Sequence, residues 1–455
     1  ESLIASEKLV EIKPQDALAN YNLGDVNADF SSANFGDVEF SEGIGTQLDH
    51  ARNDLDAFIS TIEFKGTYKK NNHQVDFGVK YKNEDIRDRI KEWEVIDSVG
   101  FNVRPPHHIP NNQPYEPYTE SITPFQYVNA QNNVVINRFV WFAQYSKNSF
   151  INDHKIWYNF GIRSHNWNVG GDAIETVKQS SYSLRGQFAI KPDWDKDMLF
   201  RISGGMYNQP PFYNELRNYE GNVIPTVDAQ KSLQVVLGHD YSFDLWNRPF
   251  KLVSEVYYKN YDNLVKYNTQ TLQYNSNYTN GGTGFAKGLE LFWRDSKSIK
   301  NIDYWVSYSL LDTKRDYRNY PSEAQPNFAN THNLSIVGKY WINDWRSQVG
   351  FSYAFASGRT YTDPNTTGFL NQKTKPYNSL SINWAYLISP QKILYASVNN
   401  VLGFKNINGY QYANTPNENG VFESRAMQPA ADQFFFVGFF WTISEDGKDN
   451  QLDNL

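Results

Sequence analysis

The chain has 455 residues, of which 16% are aromatic, 40% hydrophobic and 20% charged, with a net charge of −7. It has no cysteine, which excludes a disulfide framework and a thiolate metal site, and its acidic balance argues against nucleic acid as the main partner. Tyr (31) and Phe (30) each outnumber Gly (28), a bias foreign to helical bundles, and no stretch approaches the roughly 18 apolar residues of a membrane helix.

The chain opens on Glu1 without Met or a leader, as expected of a processed protein or a fragment. A first strand is expected near 2–12, then a short turn near 13–20 and a long connection near 41–56. From about residue 57 onward, tracts of roughly ten residues alternate apolar with small or polar side chains, so each strand has one greasy and one wet face. In 181–191, Tyr182, Leu184, Gly186, Phe188 and Ile190 oppose Ser183, Arg185, Gln187 and Ala189. In 231–243, Leu233, Val235, Leu237, His239 and Tyr241 oppose Gln234, Val236, Gly238 and Asp240. In 379–388, Leu380, Ile382, Trp384 and Tyr386 oppose Ser379, Ser381, Asn383 and Ala385. The last tract turns Phe435, Val437, Phe439, Trp441 and Ile443 to the apolar side.

The connections alternate in length. Short ones fall near 70–73, 147–153, 191–197, 243–249, 294–302, 340–346 and 388–391, with turn formers such as Asn71-Asn72 and Ser389-Pro390. Long polar ones fall near 84–136, 165–180, 207–230, 260–284, 312–331, 356–376 and 400–432. A soluble sandwich or propeller also alternates, but its strands are shorter and its core is aliphatic. Here aromatics crowd the strand ends, as in a membrane-interface girdle.

The spacing predicts an all-β fold, a transmembrane antiparallel up-and-down β-barrel of about 17 strands over 1–443, with an acidic periplasmic tail at 444–455. First and last strands then run the same way, so an odd number of strands is expected to be missing upstream. About five of them, with a plug, would complete a 22-stranded barrel.

Several pieces resemble the Bacteroidetes TonB-dependent outer-membrane receptors. They are Gly204-Gly205-Met206-Tyr207-Asn208-Gln209-Pro210-Pro211-Phe212-Tyr213-Asn214-Glu215-Leu216, Asp228-Ala229-Gln230-Lys231-Ser232 with Leu237-Gly238-His239-Asp240-Tyr241, Lys287-Gly288-Leu289-Glu290-Leu291, Asn399-Asn400-Val401-Leu402, and 434–443. Trp93-Glu94-Val95-Ile96-Asp97-Ser98 looks like a loop element of the same family. The resemblance covers only the barrel half of such a receptor. It implies import of a nutrient (siderophore, glycan, peptide or vitamin class) through a plugged lumen. The implied partners are outer-membrane lipid and lipopolysaccharide, the missing plug domain and N-terminal strands, an inner-membrane energy-coupling protein of the TonB type, and a surface lipoprotein. The alternatives are a structural or secretion-associated barrel subunit without small cargo, and a passive porin.

No catalytic or cofactor motif stands out. The eight histidines form no metalloprotease pair, and His107-His108 sits in a Pro-rich stretch. Asn280-Gly281-Gly282-Thr283-Gly284 reads as a flexible loop, because no helix pattern follows it. His239 and Asp240 are strand neighbours and point to opposite faces, so they cannot act together. Binding is the better reading. Trp93, Tyr115, Tyr118, Tyr207, Phe212, Tyr213 and Tyr219 offer flat rings with or without a hydroxyl in the long connections. Arg217, together with Arg315 and Arg318, is a candidate to attract an anionic ligand.

Overall fold

The computed structural model describes residues 48–95, 127–269, 276–295, 299–413, 416–417 and 419–443. In chain order the strands begin with β1 (Leu48–Ala51), β2 (Asp54–Lys70), β3 (His73–Val95), β4 (Tyr127–Ile151), β5 (His154–Gly171), β6 (Ile174–Lys191) and β7 (Asp197–Gln209). Next come β8 (Gln230–Leu245), β9 (Arg248–Thr269), β10 (Ser276–Asp295), β11 (Ile302–Asp316), β12 (His332–Ile342) and β13 (Ser347–Ala356). The remainder are β14 (Thr360–Tyr361), β15 (Gln372–Lys373), β16 (Tyr377–Ser389), β17 (Lys392–Asn399), β18 (Gly409–Tyr412), β19 (Ser424–Met427) and β20 (Phe434–Trp441). Sixteen of them form one antiparallel sheet in which each strand pairs with its chain neighbour, from β2 and β3 through β13, β16 and β17 to β20. β1 and β2 lie end to end on the same edge of β3. β14–β15 and β18–β19 are small separate hairpins.

The two faces follow the alternation. On β6, Tyr182, Leu184 and Phe188 are exposed on one side, while Ser183, Arg185 and Gln187 are half-buried on the other. The register carries this division across the sheet: Arg185 lies opposite Gly205, Gly205 opposite Gln234, and Gln234 opposite Lys259. Leu233 (54% exposed), Leu237 (53%) and Val437 (73%) belong to a continuous apolar outer face. A patch of that extent is incompatible with water and suited to lipid. A chain of rings marks the outer face near its short-turn end, where Phe200, His239, Tyr241, Phe243, Phe250 and Trp293 succeed one another at 4.7–6.1 Å. His239 stacks within this belt, whereas Asp240 turns inward to Arg201 at 2.8 Å.

All seven short connections fall where the alternation puts them. Asn71 and Asn152 have φ of 53°, and the pair Trp246-Asn247 has φ of 53° and 57°, the left-handed pair of a tight hairpin. The long set needs correction. The predicted connection at 165–180 is a hairpin: β5 and β6 run on through it and turn at Asp172-Ala173. Trp93, Glu94 and Val95 belong to β3 rather than to a loop, and the start of β2 lies inside the connection expected at 41–56. The glycine run at 280–284 is strand β10 with two register shifts. Gly281 has φ of +109°, and a Cβ on Gly282 would stand 2.5 Å from the carbonyl oxygen of Asp316. Glycine therefore permits close strand approach here, not flexibility. These extensions make the strands longer than the ten residues expected, up to 25 in β4.

The expected strand at 2–12, the turn at 13–20, His107-His108 and the tail at 444–455 lie outside the described residues. Among the described residues the sheet is open, with β2 (and β1) at one edge and β20 at the other, paired to β17 alone. Both edges run toward the short-turn end, so a closed antiparallel barrel needs an odd number of further rows between them.

Candidate functional site

The segment 210–229, between β7 and β8, folds onto the inner wall of the sheet. Pro210-Pro211 ends β7 because proline offers no ladder N–H. A single 3-10 turn, Tyr213–Glu215, follows, with the Phe212 amide donating to Glu215 Oε2 at 2.9 Å. That turn aims Leu216 inward, where it is fully buried with Val227 and Ala229. They pack on Ile86 of β3, Val134 and Ile136 of β4, and Trp167 and Val169 of β5. Each fully buried aliphatic side chain contributes about 1.5–3 kcal/mol, so this seat holds the segment firmly.

Directional contacts fix its register. Asp88 Oδ2 accepts from Arg217 Nη2 and from the Tyr213 hydroxyl, both at 2.7 Å, and the Arg217 guanidinium stands 5.1 Å from the Tyr213 ring centre. Asn132 donates to the Gly221 carbonyl at 2.9 Å, and Arg138 to that of Pro211 at 2.9 Å. Gly221 has φ of +79°, and a Cβ there would meet Ala130 at 2.9 Å, so only glycine fits against β4. Asn280 of β10 grips Asp228 from both sides, accepting from its amide at 2.7 Å and donating to its carbonyl at 3.1 Å. Burial pushes the Tyr213 hydroxyl well up, reinforced by Asp88. Burial also raises the Glu215 carboxyl, with the Phe212 amide opposing.

Beneath Pro210–Tyr213 the segment roofs a cavity of about 260 Å³ whose lining includes Lys82, Glu84, Arg138, His165, Trp167 and Phe212. Glu84 pairs with Lys82 and, at 3.3 Å, with Arg138. The other connections at this end brace one another. Tyr320 meets Phe369 edge-on at 4.8 Å, Thr360 donates to the Gln325 carbonyl at 2.9 Å, and Tyr361 packs on Tyr410 at 4.8 Å. Asn365 and Phe422 exchange two hydrogen bonds, of 2.8 and 2.7 Å.

The candidates chosen from sequence separate into groups. Tyr207, at the end of β7, and Phe212 are exposed. Tyr219 is half-buried. Arg217 is buried, its charge answered by Asp88, and Tyr213 is held with it. Arg315 lies 4.6 Å from the ring centre of Tyr261 and 5.5 Å from those of Tyr317 and Phe328, and Arg318 stacks on Tyr317 at 5.0 Å. Trp93 lies at the end of β3, opposite Tyr127. Its side chain, and the whole of Tyr115 and Tyr118, lie outside the described residues. Sequence reasoning missed Asp88, Asn132, His165 and Trp167. Inward parity with Ile86 and Ile90 was the one signal that could have found Asp88.

Long antiparallel strands with an apolar outer face, a polar inner face and loops folded inward at one end define the wall of a membrane β-barrel. The chain matches the family described as TonB dependent receptor-like, beta-barrel, over residues 12–401, and it belongs to that family. No curated protein matches it in sequence. Among solved structures, it resembles the copper transporter OprC with a TM-score of 0.59 at 14% identity, over 85% of this chain and 57% of that one. The ferric yersiniabactin uptake receptor FyuA from Yersinia pestis gives 0.56 at 10% identity, over 87% and 55%. The ferric-catecholate import receptor Fiu from K12 E. coli gives 0.53 at 14% identity, over 85% and 55%. The chain thus spans a little over half the length of these relatives.

Proposed function

We propose that this chain is the barrel wall of an energised outer-membrane importer of the Bacteroidetes type. The observation that carries the proposal is the segment 210–229. It is anchored on the inner wall by the Asp88–Arg217 pair and roofs a cavity, while leaving Phe212 and the neighbouring Tyr207 exposed. A wide passive pore does not need such a preformed surface. A receptor does, because an ordered surface loses less freedom when it captures a ligand.

In this reading the long connections face the outside and the short turns face the periplasm. Tyr207, Phe212 and Tyr219 meet the nutrient first, with Trp93, Tyr115 and Tyr118 completing the contact. Tyr213 and Arg217 act indirectly, by holding the segment in place. Plug and further strands come from outside this chain, an inner-membrane protein of the TonB type supplies the energy, and a surface lipoprotein is a further partner. The chemistry is recognition and gating, with no bond broken. The solved relatives named for copper, ferric yersiniabactin and ferric catecholates support the nutrient class only through shared architecture.

The test is uptake by cells carrying the full-length gene or a deletion. A nutrient whose energy-dependent uptake falls on deletion, and returns with the full-length gene, supports the proposal. Uptake indifferent to dissipation of the inner-membrane gradient, with open-pore conductance of the purified protein, sinks it in favour of a porin.

A further inference from the structure

The inner wall of β5 and β6 carries two arginines, Arg163 and Arg185, that form no ion pair or side-chain hydrogen bond among the described residues. Arg163 and Arg185 both point inward and are half-buried. The register sets Arg163 opposite Ser183 and Gly161 opposite Arg185, so the two arginines are diagonal neighbours on the same face of adjacent strands. The carboxylate whose field reaches Arg163, Glu63, already pairs with Lys65 at 2.8 Å. Arg201, on the next strand of the same wall, shows the ordinary arrangement, held by Asp240 at 2.8 Å and Glu255 at 3.1 Å. Nothing comparable meets Arg163 or Arg185 among the described residues.

Two further observations mark the same place. Arg163 Nε, His165 Nε2 and Ser181 Oγ are all buried there without a hydrogen-bond partner among the described residues, and His165 lies directly opposite Ser181. Buried polar atoms are nearly always paired, so such a cluster on one stretch of wall is unusual. Arg185 is also flanked by glycines on both sides: a Cβ on Gly205 would stand 2.9 Å from the Arg185 Cβ, and one on Gly161 would stand 3.5 Å from its Cγ. The missing side chains leave room for the Arg185 stem between its two neighbouring strands.

We propose that Arg163 and Arg185 form an oxyanion station on the lumen wall, which takes a small soluble ligand bearing two or more carboxylate or phosphate groups. Planar guanidinium forks match such groups two bonds at a time, which a lone ammonium does not. Two forks at diagonal spacing favour a ligand with at least two anionic groups. The station lies just below the cavity roofed by 210–213, whose lining includes His165. It deepens the importer reading by giving the cargo a chemistry, and rests on that reading only for the ligand's route, so binding is tested apart from uptake.

The experiment is calorimetric titration of the purified full-length protein in detergent with pyrophosphate, and with spermidine as a cation control. Pyrophosphate is expected to bind and spermidine not. Arg163→Gln and Arg185→Gln should each weaken pyrophosphate by about tenfold or more, the scale of one lost charge-assisted pair. Arg201→Gln, which removes the same charge from an answered site, should leave the affinity unchanged. Heat-resistant gel mobility checks folding of each variant. If Arg163→Gln fails that check, Arg163→Lys keeps the charge but loses the fork, and an intermediate affinity is expected. Absence of pyrophosphate binding to the native protein overturns the proposal. So does equal weakening by all three substitutions, which would reduce it to a general field. A structure of the full-length protein with one of its own carboxylates seated on Arg163 overturns it as well.

Discussion

Arg217 and Asp88, 129 residues apart in sequence, meet through a 2.7 Å hydrogen bond with both side chains buried. The first residue belongs to the connection after β7 and the second to the inner face of β3, so this pair ties a loop to a wall four strands away. Removing one partner of a buried ion pair leaves an unanswered charge and costs about 3–5 kcal/mol. Asp88→Ala should therefore free 210–229 from the wall while the sheet stays intact. Limited proteolysis should cut that segment readily in the variant and slowly in the native protein. Combining Asp88→Ala with Arg217→Met removes both charges and should recover much of the protection. Identical cleavage in all three proteins would mean that the apolar seat alone holds the segment.

The alternation on β6 predicts opposite tolerances at adjacent positions. Phe188 faces outward and Gln187 inward, both in the half of β6 nearer the short turn, where a charge on the lipid face costs less than its midplane maximum. An arginine on the lipid face costs about 2–4 kcal/mol near the bilayer midplane, far more than one facing the lumen. Phe188→Arg should lose heat-resistant mobility well before Gln187→Arg does. Equal loss would put the two faces the wrong way round.

Glu215 makes the docked segment sensitive to acid in a particular direction. Its carboxyl is raised above the ordinary 4.5 by burial, with the Phe212 amide opposing. The folded state thus holds the proton more tightly than the released segment does. That contribution to docking is complete below 4.5 and is lost as pH climbs through the raised value. Amide exchange in 216–224, corrected for its intrinsic pH dependence, should accelerate over that climb and flatten in Glu215→Gln. Exchange that slows over the same climb would reverse the sign.

Much of this was legible in the chain, and the failures share one cause. Tyr182, Leu184 and Phe188 announced their side because period-two alternation needs no knowledge of a partner. The stretch 165–180 misled because Trp167 and Val169 are apolar on what should be the wet side. They are buried there by Leu216 and Val227, which come from a distant segment. Gly282 misled for the same reason, since its close neighbour is the Asp316 backbone of another strand. Arg217 looked like ligand bait because its partner, Asp88, lies inside a strand 129 residues earlier. Local pattern gave the wall, and contacts between remote segments decided what covers it.

The orientation is open to direct chemistry, because this sequence has no cysteine to interfere. Thr367 and Asp195 are exposed at opposite ends of the sheet, one in the connection after β13 and the other in the turn after β6. On whole cells, a membrane-impermeant thiol reagent should label Thr367→Cys and spare Asp195→Cys until the outer membrane is opened. The reverse pattern would invert the proposed topology.

Strand-by-strand pairing has a mechanical meaning. Because each strand of the main sheet holds on only to its neighbours along the chain, a steady pull on one end should draw the wall out of the bilayer one hairpin at a time, each rupture leaving the rest standing. Contacts between connections, such as Asn365 with Phe422, and the grip of Asn280 on Asp228 add cross-ties, but the buried clasp between Arg217 and Asp88 joins a connection to a strand four along the row. Under tension from the C-terminal side, hairpins from β20 back to β9 should unzip in turn. A larger force should then be needed where 210–229 must leave its seat, so that the tallest step of the staircase falls at the place where the loop is fastened.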